Sequence, residues 1–368
     1  MDFSAGLSFF FGQIGNLLLS LGSHFSLTSL AAALVFATLF FAWQRIRRGR
    51  KLRARTLWRA LFPKRIIAAK SNQADIGYLF FNVFVFGVVF GWAVLSYQTI
   101  TNGILSGMVA LAGPVAPTTL PSYVPRTVIT AMLFLSYELG YWFNHWLSHK
   151  VPLLWEFHKV HHSAQVLTPL TNFRVHPVYT WIFANILAIT TAIANGLGNY
   201  LFGETAYQYS FSDTNIILVL FIHTYVHLQH SHVWIAFRGL LGRVFVSPAH
   251  HQIHHSGNPK HFDKNFGSCL ALWTGCSARS MCRRKSASRS PLDLRTASTP
   301  IRSRANCSIP SSMPPRICCP NAHQRLSCLR RHNFSAPDAP ALRLRAATAC
   351  ACRRSRPQSC RKPSSAPG

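Results

Sequence analysis

At 368 residues the chain is long enough for two soluble domains, yet 49% hydrophobic content, with 27 Phe and 9 Trp, points to a bilayer rather than to water. A formal net charge of +29 ordinarily selects nucleic acid or an anionic surface, but 19 of the 38 Lys and Arg fall in residues 274–368, beside only Asp293 and Asp338. None of the ten cysteines precedes Cys269, and their irregular spacing excludes both a disulfide framework and a zinc finger.

In chain order, Phe3 to Leu21 is apolar but lacks the basic start and small-residue cleavage site of a signal peptide, so it reads as a retained membrane segment that spans or lies in the interface. Residues 25–43 form an uncharged run of spanning length, and the basic block QRIRRGRKLRARTLWR that follows it should face the cytoplasm. A second span is expected over 77–100, followed by an outside loop over 101–125. Further spans are expected near 124–147, 177–197 and 207–227, with Glu204 and Asp213 in an outer loop. The fold class is therefore an all-α integral membrane protein, with about four to six membrane helices and a cytoplasmic histidine-rich helical cap. Three regions follow: 1–124, the N-terminal membrane helices and basic loop; 125–273, a catalytic region; and 274–368, an Arg/Ser/Pro/Cys-rich tail.

Four histidine groups fall on the side assigned to the cytoplasm: His145 and His149; His158, His161 and His162; His223 and His227; and His251, His254 and His255, preceded by His250. Spacings of three and four put the members of each group on one helix face. Ten imidazoles exceed the four to six ligands of one ion and suit two ions sharing a site. Imidazole alone fits zinc, copper, iron or nickel. A site fed from lipid, without cysteine ligands or an HExxH motif, suits oxidation of a lipid C–H bond, with iron as the working metal. Soluble di-iron bundles use Glu ligands, whereas here only Glu138 and Glu156 lie near the first groups. His24, His323 and His332 are not expected as ligands, and His176, His230, His232, His250 and His261 are undecided by spacing.

The stretches LLWEFHKVHHS (153–163), TNFRVHP (171–177), SPAHHQIHHS (247–256) and HFDKNFGSCLALW (261–273), in that order, resemble the fatty acid hydroxylase/sterol desaturase superfamily over about residues 125–273. The resemblance implies that His145, His149, His158, His161, His162, His223, His227, His251, His254 and His255 are the metal ligands. It also implies an iron-dependent monooxygenase with two ions, zinc being the substitute occupant, that takes O2 and externally supplied electrons. No HPGG haem-domain signature is present, so a separate donor of the cytochrome b5 or ferredoxin type is implied. Sterols, fatty acids, sphingolipids, alkylglycerols and carotenoids all fit such a site, for hydroxylation or desaturation.

The alternative is a membrane metal transporter or a bis-histidine haem carrier. A transporter favours ligands near the bilayer midplane, and haem needs only two axial imidazoles. Nucleic acid is not an expected partner, because Phe334 is the only aromatic residue past 273. The resemblance stops at Trp273, where aromatics vanish, nine cysteines appear, and Arg, Ser and Pro take over. Residues 274–368 are therefore expected to be disordered and to derive from an out-of-frame translation or an unrelated fusion.

Overall fold

The computed structural model describes residues 3–273, so the expectations for 274–368 lie outside the described residues. The chain is mainly helical. Helix α1 (Phe3–Leu19) leads into α2 (Leu27–Arg47), which is capped where the Ser26 hydroxyl accepts the Ser29 amide at 3.1 Å. Arg45 and Arg47 in its last turn oppose the negative end of the helix dipole. The basic segment carries the short α3 (Ala54–Leu61) and α4 (Lys64–Ile67).

A kinked path follows: α5 (Lys70–Phe80), a π-helical turn at Phe81–Val85, α6 (Phe86–Phe90), a 3-10 turn at Gly91–Ala93, and α7 (Tyr97–Ala112). Most of the loop expected over 101–125 is therefore helix. Its residues Thr101 to Ala112 carry no charge, and the Ser96 hydroxyl restarts the helix by accepting the Thr99 amide at 3.2 Å. Next come α8 (Tyr123–Lys150), α9 (Pro152–His162) and α10 (Pro177–Phe202). The segment expected to span from 207 opens instead with a hairpin, β1 (Ser210–Phe211) paired antiparallel to β2 (Thr214–Asn215). Ser212 and Asp213 both take positive φ, as a two-residue hairpin turn demands. Helix α11 (Ile216–Phe221) continues through a π-helical turn into α12 (His227–Gln229), and α13 (Leu241–Val244) and α14 (Pro248–His254) complete the described helices.

Helix contacts fix the directions. Gly140 of α8 meets Leu187 and Thr190 of α10, and Gly198 meets Ile129, so these two helices are antiparallel. The path from 82 to 113 runs parallel to α10: Trp181 donates to the Ala93 carbonyl at 2.9 Å, Thr101 to Ala192 at 3.4 Å, and Tyr200 to Gly113 at 3.1 Å. Asn215 donates to the Thr130 carbonyl, and Phe134 packs with Leu218, Phe221 and Ile222, which aligns α11 with α8. Helix α2 runs the same way, with Ser29 against His227, Ala33 and Ala37 near Leu228, and Phe41 stacked on His232. The basic segment, the α8–α9 turn, the start of α10 and α12 consequently share one end of the bundle. Glu204 and the hairpin lie at the other.

Three helical stretches among the described residues are long and apolar enough to cross a membrane: Leu27–Arg47, Lys70–Ala112 and Pro177–Phe202. Helix α8 is equally long but buries Glu138, Asn144, His145 and Ser148 along one face, which lowers its hydropathy while packing that face inward.

Close packing of α7 on α10 generates a stability prediction. A Cβ at Gly196 would stand 2.8 Å from the Thr101 carbonyl and 2.7 Å from Ile104 Cβ, so Gly196→Leu should cost about 1–3 kcal/mol. Gly107, with open space around it, should accept Ala without loss. Thermal melting in detergent checks both, and equal melting temperatures for the two variants would contradict this packing.

Candidate metal centre

Proline-led helices aim the histidines. Helix α8 stops at Lys150 because Val151 is extended before Pro152, the first residue of α9. Helix α9 buries His158 and His161, while Ser247 and Pro248 start α14, which buries His250, His251 and His254. The helices meet in two compact groups. His145, His149, His158, His162 and His254 form one; His161, His230, His251 and His255 form the other, and within each the ligand atoms all lie within 4.8 Å of one another. The groups are neighbours, for His162 and His255, one from each, stack with ring centroids 4.5 Å apart.

The nitrogens are arranged as ligands are. Nε2 of His162 stands 3.1 Å from that of His158. In the other group, His161–His230, His230–His251 and His251–His255 are 3.2, 2.9 and 3.1 Å apart. Two nitrogens on one ion at about 2.1 Å and roughly 90–110° would be about 3.0–3.4 Å apart. Each ring nitrogen offers one proton or one lone pair, so the three close contacts along a row of four Nε2 atoms cannot all be hydrogen bonds. A cation satisfies all four.

Backbone carbonyls set the tautomers. A carbonyl only accepts, so His145 Nδ1 donates to Phe266 at 2.9 Å and His254 Nδ1 donates to Lys264 at 2.8 Å. Their Nε2 atoms are left with lone pairs, and both are buried without a hydrogen-bond partner, as is Nε2 of His149. Burial holds His161 and His254 down to about 4, in both cases as the leading cause. Burial, then neighbouring imidazoles, drives His158, His162, His251 and His255 well below the ordinary range. Neutral imidazole is the form that binds a metal.

Eight of the ten histidines named from the sequence meet here. His223 and His227 do not: His223 Nδ1 donates to the Val219 carbonyl and its Nε2 meets Thr28, while His227 Nε2 meets the Ser29 hydroxyl. His230 joins the second group instead. Helix α12 ends at Gln229, so His230 leaves at the C-cap with φ −99° and ψ 67°, off the face that carries His223 and His227. His176 and His250 serve as helix caps, accepting the Val178 and Ser247 amides, and His232 donates to the Ala60 carbonyl. Helix spacing shows a shared face only while the helix continues, and no sequence signal marked the break after Gln229.

A buried pair braces the second group. Asp75 and Arg174 are ion-paired, Thr171 donates to Asp75 at 3.2 Å, and Arg174 also reaches Ser71 and Ser163. These bonds tie α5 to the loop just after His161 and His162 and satisfy the charges they bury.

Residues 130–276 match the fatty acid hydroxylase family. This region is similar to fatty acid hydroxylase domains. All nine clustered histidines lie inside the matched span. Similar curated proteins include the alkylglycerol monooxygenase of Homo sapiens, 30% identical over 128 residues covering 34% of this chain and 24% of that protein. The Danio rerio alkylglycerol monooxygenase is 27% identical with the same coverage, and that of Caenorhabditis elegans is 30% identical over 127 residues, 34% of this chain and 21% of that protein. The chain thus spans about a quarter of the length of these relatives. No solved structure matches.

The geometry separates histidines of similar spacing. His230→Ala should lower the transition metal bound per folded chain, whereas His223→Ala should leave it unchanged. Elemental analysis of purified protein reads both, and metal loss from His223→Ala but not from His230→Ala would contradict the grouping.

Proposed function

We propose that this chain is an integral-membrane oxygenase that hydroxylates or desaturates a lipid C–H bond at two histidine-held iron ions, using O2 and electrons from a separate donor protein. The observation that carries this reading is the pair of all-imidazole groups set at one end of a bundle of apolar helices. Such donors fit iron, and equally zinc as a substitute. Iron held there supplies reductive activation of O2 and removal of hydrogen from an unactivated C–H bond.

The protein's own residues do the rest. His145, His149, His158, His162 and His254 hold one ion, and His161, His230, His251 and His255 hold the other. The Phe266 and Lys264 carbonyls keep Nε2 of His145 and His254 unprotonated and aimed inward. An apolar groove of about 410 Å³, lined by Phe36, Phe40, Trp43, Tyr225, Leu228 and Pro248, backs onto the segments carrying His230 and His251 and suits the hydrocarbon part of a lipid. Helix α2, the 70–112 path, α8, α10 and α11–α12 alternate in direction, which supports five membrane passes. The basic segment at the histidine end supports a cytoplasmic site.

The named relatives make an alkylglycerol the first substrate to try. Membranes holding the full-length, iron-loaded protein, given alkylglycerol, O2 and a reducing system, should yield a product heavier by one oxygen or lighter by two hydrogens, read by mass spectrometry. Complete cellular lipid extracts should be searched for the same shifts. Neither shift in any lipid, from protein shown to carry its metal, would overturn the oxygenase reading.

A further inference from the structure

Glu138 is fully buried on α8, two turns before His145, and belongs to neither histidine group. Seven residues of helix place it about 10 Å along the axis from His145, too far to share its ion. Its carboxylate accepts the backbone amide of Cys269 at 3.0 Å and that of Leu270 at 2.8 Å, through the same oxygen. The segment so held runs back along α8: Cys269 and Leu270 lie at Glu138, Phe266 lies at His145, and Asp263 pairs with Lys150. From this segment come both carbonyls that take the Nδ1 protons of His145 and His254.

Other bonds hold the segment too, but they act on other atoms. Gln229 donates to the Ser268 carbonyl and the Val246 amide to the Cys269 carbonyl, whereas the Cys269 and Leu270 amides are both taken by Glu138. A buried carboxyl oxygen that accepts two amides is an anchor, for without it two buried donors lose their partner.

We propose that Glu138 is a positioning residue for the five-histidine group, acting through the 264–270 backbone to hold His145 and His254 with Nε2 turned towards the metal. This rests on the metal-binding reading above. Loss of an outer hydrogen bond to a metal-ligating histidine commonly weakens binding by about 10- to 100-fold. Glu138→Gln preserves volume but leaves one acceptor oxygen in place of two and sets an NH2, which can only donate, against the Cys269 and Leu270 amides. The full-length protein should still hold two ions as wild type, and in Glu138→Gln one of the two should leave to a chelator about tenfold faster. The other should leave at the wild-type rate. The cobalt-loaded visible spectrum should change for one site only, the metal-free variant should melt as metal-free wild type does, and Glu138→Asp should restore part of the slow release. Two ions leaving Glu138→Gln at wild-type rates would overturn the proposal alone. A Glu138→Gln variant that melts far lower when metal-free and, when loaded, loses both ions equally would overturn it as well, showing a folding role. A wild-type chain that holds no metal would overturn the metal reading itself and this proposal with it.

Discussion

Nine neutral imidazoles packed around two points impose the condition that the rest of the structure meets. Burial leaves Nε2 of His145, His149 and His254 and Nδ1 of His158, His161, His230 and His251 without a hydrogen-bond partner, while the Nε2 atoms of the second group crowd to about 3 Å. Protonation would relieve that only by burying several positive charges together, and burial already holds His161 and His254 at about 4. Neutral imidazoles so placed fit a metal site, which would relieve the crowding without burying that charge. The helices, caps and carbonyl contacts are arranged so that the imidazoles reach the cations in one tautomer and one orientation.

Backbone termini do much of this work. Pro152, Pro177 and Pro248 open α9, α10 and α14, so the chain turns sharply beside the histidines and spends few backbone donors there. His176 and His250 sit among these starts as caps, which explains why two histidines so near the centre are not part of it. Two polar braces stand behind the imidazoles. One is Asp75 with Arg174 behind His161, and the other is Glu138 behind the segment that contacts His145 and His254. Both bury an acid inside a mostly apolar bundle, which such a protein tolerates only where the charge is fully bonded.

Much of the centre was legible before the structure. HxxxH at 145–149 and HxxHH at 158–162 and 251–255 are helical in fact, so the rule that spacing marks a face held, and all eight of these residues converge. It did not carry to 223–227, where the π-helical turn at Ile222–Val226 and the end of α12 rotate the face and put His230 in place of that pair. Hydropathy located α2 and α10 well, because both are uncharged over a spanning length. It misjudged 101–112, since Gly103 and Gly107 look like loop residues; the helix packs through Thr101 and Ile104, where Gly196 lets α10 come close. Glu138 and Asp75 were out of reach altogether, for their partners are 131 and 99 residues away in sequence.

X-ray absorption at the iron edge of the purified full-length protein tests the central claim most directly. Two histidine-held ions predict nitrogen and oxygen neighbours only, outer-shell scattering of the imidazole type, and an iron content of two per chain. Sulfur neighbours, a porphyrin signature, or a single iron per fully loaded chain would contradict it.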